Sequence, residues 1–168
     1  METKTYTLCG TPLYLAPEVI LNQGHNRAAD HWSWGILTYE MIAGYTPFYE
    51  KGIDQITLYR FIVRGEFCFP DKFFSSEAQL LIRKVLVGDP RKRLGSLAGG
   101  LKDLYSDPWF SSIDFAALRR KEIAAPWIPD IKDPLDMSQF DNWDHVKIKT
   151  KNDYPKLPPK LQAFFQDF

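Results

Sequence analysis

Three carboxylates and two threonines stand where their side chains could do chemistry. Glu40 interrupts a helix-forming stretch that is otherwise apolar, which indicates either a core carboxylate with a partner or one that faces a cleft. Asp30 stands near the start of the same stretch, where capping the helix is the simplest role. Glu18 would need a cationic partner if it is buried. Taken alone, Thr5 is an ordinary exposed threonine, and Thr11, between glycine and proline, is a turn residue.

The histidines and cysteines do not form a recognisable metal or disulfide site. His25, His31 and His145 lack metal-ligand spacing, so we treat them as ordinary residues and predict no metal centre. Cys9 and Cys68 are the only cysteines and are far apart in the sequence, which favours reduced thiols in an intracellular protein. We expect both thiols to lie in the core as small hydrophobic groups.

The elements that must position these residues are predicted to be mainly helical. Val19-Ile20-Leu21 indicates one or two helical turns. Apolar periodicity and helix breakers predict helices over residues 28–43, 54–63 and 76–87, with more helix near 100–107 and 115–122. Gly44 should end the first of these helices, and Ser75 should cap the start of the third. No strand pattern, internal repeat or coiled-coil heptad is evident, so the predicted fold class is mainly α.

The helix predicted over residues 28–43 has no polar face. It carries Trp32, Trp34, Ile36 and Leu37 in one short run, and further apolar residues follow. A helix that is apolar all round belongs in the middle of a large core. A chain of 168 residues is too small to surround it completely, which indicates that part of the core is missing.

Composition indicates a soluble globular protein with one core. Hydrophobic residues make up 45% of the chain, and 21 basic and 21 acidic side chains give a net charge of +0. No global field therefore draws the chain to nucleic acid or an anionic membrane, and we expect neither as a partner. Residues 1–7 are too polar for a secretory signal, and the longest apolar stretch is too short to cross a bilayer. We expect a cytoplasmic location.

The last quarter of the chain has a different character. It combines isolated aromatics and lysines with six prolines, which are Pro126, Pro129, Pro134, Pro155, Pro158 and Pro159. This composition is typical of an extended tail that lies over a domain and does not fold alone.

A series of short motifs runs along the whole chain. They are Thr5-Tyr6-Thr7-Leu8-Cys9-Gly10-Thr11-Pro12, Tyr14-Leu15-Ala16-Pro17-Glu18, Asp30-His31-Trp32-Ser33-Trp34-Gly35, Gly44-Tyr45-Thr46-Pro47-Phe48, Asp89-Pro90-Arg91-Lys92-Arg93-Leu94-Gly95, Pro108-Trp109-Phe110, Pro126-Trp127-Ile128-Pro129 and Phe165-Gln166-Asp167-Phe168. Ala-Pro-Glu alone would be weak, but the order and spacing are specific. The series resembles serine/threonine protein kinases of the AGC group, and is most similar to the catalytic domain of the cAMP- and cGMP-dependent enzymes.

The resemblance implies an incomplete kinase fold. Residues 1–110 would be the C-terminal helical portion of the large lobe, and residues 111–168 the C-terminal tail of this group. The Gly-rich loop, strand lysine, H-R-D catalytic loop and D-F-G motif are absent from the sequence, so it holds no catalytic residue. We expect a truncated sequence whose parent kinase uses ATP and Mg²⁺, neither of which should bind this chain alone.

The resemblance assigns roles to residues of the activation segment and the first long helix. Thr5 corresponds to the activation-loop phosphorylation site. Thr11 corresponds to the threonine that contacts the catalytic aspartate and lysine, and Leu8 should line the pocket for the residue after the substrate hydroxyl. Glu40 should help to read an arginine upstream of that hydroxyl. Leu13 replaces a glutamate beside this basic-substrate site, which weakens or shifts the preference for arginine.

Other roles implied by the resemblance are structural. Glu18 should pair with Arg93 across the domain, since a buried carboxylate needs such a partner. Asp30 should bond the backbone of the absent catalytic loop, so here it would lack its main partner.

The tail also carries implied sites. Phe140 and Trp143 stand in the element that passes the adenine pocket, where Trp143 replaces the usual tyrosine. Thr150 lies near a tail phosphorylation position. Phe165 and Phe168 form the closing hydrophobic motif, which docks in a groove on the missing small lobe.

The leading hypothesis is that the parent protein transfers the γ-phosphate of ATP to serine or threonine of protein substrates, with basic residues near the phosphorylated position. This chain would supply the substrate platform, the phosphorylation site and the tail. A regulatory subunit or domain would be a further partner. The alternative is a non-catalytic, kinase-derived module that binds substrates or regulators.

Overall fold

A computed structural model describes residues 3–70, 73–143, 145–146 and 155–162. The α-helices are α1 (Pro17–Ile20), α2 (Ala28–Ala43), α3 (Gln55–Arg64), α4 (Ser76–Val85), α5 (Leu101–Tyr105), α6 (Phe115–Arg119) and α7 (Pro159–Gln162). Short 3₁₀ helices span Pro12–Tyr14 and Pro108–Phe110. The described residues form no strand beyond an isolated antiparallel bridge between Thr5 and His25. The prediction of a mainly α fold is confirmed.

The chain divides into two compact units, Met1–Ile123 and Ala124–Phe168. In the second unit almost every described residue is exposed, and the local order comes from turns. Asp136, for example, accepts hydrogen bonds from the backbone N–H groups of Lys132 at 2.9 Å and Ser138 at 2.8 Å. None of the described helices is long and apolar enough to span a bilayer.

Helix α2 has the predicted bounds. Gly44 ends it in the left-handed conformation with φ 80°, which glycine adopts without steric cost. The expectation that Asp30 caps its start was wrong, because the N-cap residue is Arg27 and Asp30 lies within the first turn. The backbone N–H of Ala28 instead donates to Asn26 Oδ1 at 3.0 Å.

Helices α3 and α4 begin with side-chain caps. Asp54 Oδ1 accepts from the backbone N–H groups of Ile56 at 3.0 Å and Thr57 at 3.1 Å. Ser75 caps α4, as predicted, by accepting from the N–H of Ala78 at 3.2 Å. Helix α4 ends at Val85, two residues earlier than predicted.

The early end of α4 and the short length of α5 and α6 have local causes. Helix α4 ends at Val85 because Leu86, with ψ 55°, leaves the helical conformation. The carbonyl of Val87 then accepts two hydrogen bonds from Arg93. Helix α5 stops before Asp107, whose side chain caps the following 3₁₀ helix by accepting from the N–H of Trp109 at 3.1 Å. After α6, Lys121 has φ 59°, which is incompatible with continuing an α-helix.

Helix α2 forms the centre of the core. Trp32, Ile36 and Tyr39 are buried among Leu58 of α3, Ile82 of α4 and other apolar side chains. The opposite side of α2 is less covered, since Leu37 is 43% exposed and Met41 66% exposed. The described residues therefore do not surround the helix, in agreement with its apolar sequence.

Helices α2 and α4 approach closely at Gly35. A Cβ atom at Gly35 would lie 2.8 Å from both Val85 Cγ1 and Leu86 Cδ2, well inside van der Waals contact. A second buried cluster, around Leu81 and Leu94, continues from this contact.

The two cysteines correct one sequence-based expectation. Cys9 and Cys68 are free thiols, as predicted, but both are exposed, so their assignment to the core was wrong. Cys9 lies in a segment whose described residues are all exposed. Cys68 alternates with the partly buried Phe67 and Phe69, and only its carbonyl turns inward, where it accepts from the hydroxyl of Tyr39 at 2.9 Å.

Candidate functional site

A buried ion pair fixes the end of residues 5–18, which we call the activation-like segment. Arg93 Nη1 lies 2.8 Å from Glu18 Oε1 and Arg93 Nη2 lies 3.0 Å from Glu18 Oε2, which is a bidentate arrangement. Arg93 is 0% exposed and Glu18 3% exposed. The structure thus contains the Glu18–Arg93 contact that the family resemblance implied, across 75 residues of sequence.

Each of the five N–H bonds of the Arg93 guanidinium has an acceptor. Besides Glu18, the guanidinium donates to the carbonyl of Val87 at 3.1 and 3.0 Å and to the carbonyl of Ala28 at 2.5 Å. Its central carbon also lies 5.2 Å from the centroid of the Trp32 ring, a cation–π distance. One side chain therefore joins α1, the start of α2 and the loop after α4.

A second contact joins the activation-like segment to α2 at Glu40. The hydroxyl of Tyr14 donates to Glu40 Oε2, and Ser33 Oγ donates to the carbonyl of Tyr14 at 3.0 Å. Glu40 and Tyr14 are both partly buried. The hydrogen bond to Glu40, helped by burial and by the charge of the carboxylate, raises the pKa of Tyr14 above 10.0.

We expect Glu40→Gln to lower the pKa of Tyr14 toward 10.0, because the amide carries no charge and accepts more weakly. NMR titration of the tyrosine Cζ resonances resolves Tyr14 from the other tyrosines. Glu77→Gln is the matched control, since Glu77 is an exposed glutamate at the start of α4. Identical Tyr14 titrations in Glu40→Gln and the unchanged chain would contradict the contact.

The segment around Thr5 lies on the loop before α2. Thr5 and His25 exchange backbone hydrogen bonds of 3.0 and 2.9 Å, and Thr5 Oγ1 lies 2.9 Å from His25 Nε2. Gly24 makes this approach possible, because a Cβ there would lie 2.9 Å from side-chain atoms of both Lys4 and Tyr6. The predicted phosphorylation site is thus exposed, yet its backbone N–H, its carbonyl and its hydroxyl are all hydrogen-bonded to His25.

The other predicted substrate residues lie between these anchors. Leu8 is 57% exposed, as suits a side chain that would line an open pocket. Thr11 is exposed as well, and its carbonyl accepts from the N–H of Tyr14 at 3.0 Å, which starts the 3₁₀ turn. Leu13 is partly buried against the core. Asp30 is exposed at the first turn of α2.

Sequence reasoning missed two residues that position this site, Tyr14 and His31. His31 Nδ1 lies 3.2 Å from Ser96 Oγ, and Gly95 leaves room for the imidazole. Burial, followed by the charges of Arg93 and Arg27, lowers the pKa of His31, while Asp30 acts in the opposite direction.

Stability should fall as the pH decreases through about 6.5, the ordinary pKa of histidine. The unfolded chain then binds a proton that the folded chain, with a lowered His31 pKa, resists until lower pH. Chemical denaturation at pH values from about 7.5 to 5 measures the free energy of unfolding, which should fall more steeply for the unchanged chain than for His31→Gln. His25→Gln serves as the control for removing an imidazole elsewhere. If the free energy of unfolding changed in parallel with pH for the unchanged chain and His31→Gln, the prediction would be wrong.

The tail residues predicted to pass a nucleotide pocket are exposed within the second unit. Phe140 and Trp143 present most of their surface to solvent, and Trp143 stacks on His145 with centroids 6.4 Å apart. Thr150, Phe165 and Phe168 lie outside the described residues. Among the described residues, no three His, Cys, Asp or Glu side chains form a group that could hold a metal ion.

Comparison with known families agrees with this arrangement of motifs. The family model of the protein kinase domain matches residues 1–110. The chain belongs to the protein kinase family. Its helices correspond to the C-terminal, helical part of the kinase fold, and the Glu18–Arg93 pair lies within the matched region of this kinase chain.

Relatives of this kinase chain belong to the AGC group. The cAMP-dependent protein kinase catalytic subunit of Dictyostelium discoideum is 38% identical over 168 residues, which is 100% of this chain and 26% of the relative. The cAMP-dependent protein kinase type 3 of Saccharomyces cerevisiae is 43% identical over 140 residues, covering 83% and 34%. The human cGMP-dependent protein kinase 2 is 39% identical, covering 98% and 21%. The chain therefore spans only about a quarter to a third of the cAMP-dependent relatives.

Proposed function

We propose that this chain is the substrate-binding and regulatory part of a serine/threonine kinase, whose reaction transfers the γ-phosphate of ATP to protein hydroxyls. The observation that carries the proposal is the pairing of Tyr14 with Glu40. This hydrogen bond joins a carboxylate of α2 to Tyr14, three residues after Thr11, while the Glu18–Arg93 pair anchors α1, which follows. A segment anchored by these two contacts could bind a peptide substrate along its exposed side.

Glu40 is the residue proposed to read a basic substrate. A carboxylate pairs with arginine through charge-assisted, bidentate hydrogen bonds. Glu40 is only partly buried and one of its oxygens accepts from Tyr14, so the other has capacity for a guanidinium. Leu13 stands where the related kinases carry a second carboxylate. We therefore assign the recognition of a substrate arginine mainly to Glu40.

Leu8 and Thr11 are proposed to contact the substrate beside the acceptor hydroxyl. The exposed Leu8 provides an apolar wall for the residue that follows it. Thr11 offers a hydroxyl in a rigid turn between Gly10 and Pro12, where it could bond the catalytic groups of the complete kinase.

ATP and Mg²⁺ are proposed to be bound by parts of the kinase outside this sequence. We assign no step of phosphoryl transfer to the described residues. Residues 1–110 would contribute the large-lobe helices and residues 111–168 the tail, with Phe140 and Trp143 beside the nucleotide pocket. Phe165 and Phe168 would dock on the small lobe, and Thr150 would be a second phosphorylation site.

The activation-segment phosphorylation site is proposed to be Thr5. We expect phosphorylation of the folded chain by an activating kinase to be lost in Thr5→Ala and retained in Thr7→Ala. A phosphate on Thr5 would add a charge of about −1.5 to −2 and acceptor oxygens beside the His25 ring. Thr7 is the competing acceptor, since it is exposed. Phosphopeptide mass spectrometry decides, and a phosphate on Thr7 alone would overturn the assignment.

A chimera tests the proposed function as a whole. The upstream part of the Dictyostelium discoideum relative, joined in register before Thr5, would supply the nucleotide-binding and catalytic residues. We expect the chimera to phosphorylate a serine peptide with an upstream arginine. Glu40→Gln should raise the KM for that peptide more than for a peptide with citrulline in place of arginine. A folded chimera without activity, or equal KM changes for both peptides, would contradict the proposal.

A non-catalytic binding module is the second candidate. The buried ion pair, the capped helices and the apolar cluster on the covered side of α2 favour a chain that folds without the rest of a kinase. A cooperative thermal transition together with binding of the arginine peptide by the isolated chain would support this candidate. A non-cooperative transition with rapid hydrogen exchange throughout α2 would exclude it.

A further inference from the structure

An aromatic groove lies away from Glu40, beside α3. Its walls include Phe48 and Tyr49 from the segment after α2, Phe61 of α3, and Phe67 from the segment that follows. The groove is open and has a volume of about 400 Å³, within the range of small-ligand and side-chain pockets. Phe48 is fully part of the core, whereas Tyr49 is 55% exposed, so the groove has a rigid floor and an accessible edge.

Two carboxylates border the groove. Glu50 and Glu66 are both exposed, and neither carboxylate makes an ion pair or hydrogen bond to any other described residue. No lysine, arginine or histidine is among the residues that line this groove. The charged side chains that line the groove are therefore both acidic, which disfavours phosphate groups against its aromatic surface.

We infer that this groove binds an arginine side chain in an extended, basic segment of a partner protein. A guanidinium is flat and weakly hydrated, so it can stack on an aromatic ring while it donates to a carboxylate. The rings of Phe48 and Phe67 meet edge to face at 5.8 Å, which leaves aromatic faces and edges at the groove floor. The aliphatic stem of arginine would cover this floor, and its charge would face Glu50 and Glu66.

The inference is separate from the proposed function. It assigns a docking site to residues that have no part in the Tyr14–Glu40 arrangement, and it holds whether or not the complete protein is a kinase. Because both sites attract arginine, the experiment must report where a peptide is bound.

The exposed cysteines provide that report. Cys68 borders the groove, whereas Cys9 lies between Leu8 and Thr11 in the proposed substrate segment. We expect a glycine- and serine-flanked arginine peptide, added to the full chain, to slow alkylation of Cys68 by a maleimide. A peptide with citrulline in place of arginine keeps the shape but not the charge, and should protect Cys68 much less. Protection of Cys9 alone would place the arginine at the other site and overturn the inference.

Variants then assign the carboxylates. Glu66→Gln and Glu50→Gln should each weaken peptide binding about two- to fivefold, the effect of an exposed charge pair. Asp130→Asn removes the same charge from an exposed position in the second unit and should leave Cys68 protection unchanged. Glu40→Gln should reduce the protection of Cys9 by the arginine peptide and leave the protection of Cys68 unchanged. Equal protection of Cys68 by the arginine and citrulline peptides, or by all variants alike, would refute a cation-binding groove.

Discussion

Replacing Arg93 with methionine should destabilise the chain by about 3–5 kcal/mol, which is the usual cost of leaving one partner of a buried ion pair uncompensated. Glu18 would remain 3% exposed with its charge, and the carbonyls of Val87 and Ala28 would lose donors as well. Domains of this size are stable by only about 5–15 kcal/mol, so a large fraction of the free energy of unfolding would be lost. Urea denaturation followed by circular dichroism measures the change.

Arg91→Met is the matched control. Arg91 lies two residues away and pairs with Asp89 at 2.9 Å, but its side chain is 87% exposed. Water screens that pair, so its loss should change the denaturation midpoint far less. Equal midpoints for Arg93→Met and Arg91→Met would show that the buried pair does not hold the segment.

Removing both charges separates the two possible reasons for the loss. In Glu18→Leu/Arg93→Met no charge is left buried without a partner, so part of the stability of Arg93→Met should return. If the double variant were no more stable than Arg93→Met, the hydrogen bonds from Arg93 to Val87 and Ala28, and its packing on Trp32, would account for the loss.

Much of this fold could be predicted from local sequence. The bounds of α2 followed from an apolar run closed by Gly44, and the start of α4 followed from Ser75 before an amphipathic stretch. The Glu18–Arg93 contact spans 75 residues and could not be derived from periodicity. It was implied only because two motifs of one family carry its partners.

Contacts outside those motifs could not be predicted. The Tyr14–Glu40 and His31–Ser96 contacts join residues 26 and 65 positions apart, and each depends on how the chain packs around α2. Cys68 was misassigned because thiols are commonly buried, whereas its position between two inward-facing phenylalanines turns its side chain outward. Local composition determines helices well, but the direction of a side chain in an irregular segment depends on tertiary contacts.

Replacing Trp32 with alanine should cost about 3–5 kcal/mol, the range for removing a large aromatic side chain from a core. Trp32 is 0% exposed and stacks on Phe48 with centroids 6.0 Å apart. Met41→Ala removes an apolar side chain from the exposed side of the same helix and should have little effect. Thermal and urea unfolding of both variants measure the difference, and similar losses would contradict the assignment of the core to one side of α2.

Trp32→Phe tests which property of the indole matters. The buried Nε1–H of Trp32 has no hydrogen-bond partner among the described residues, so phenylalanine removes an unsatisfied donor while it keeps an aromatic ring. We therefore expect Trp32→Phe to cost much less than Trp32→Ala. Trp32 also lies under Arg93, so the losses of Trp32→Ala and Arg93→Met should not add. A double variant with the full sum of the two losses would mean that the ion pair and the core are independent, and that Arg93 does not couple the activation-like segment to α2.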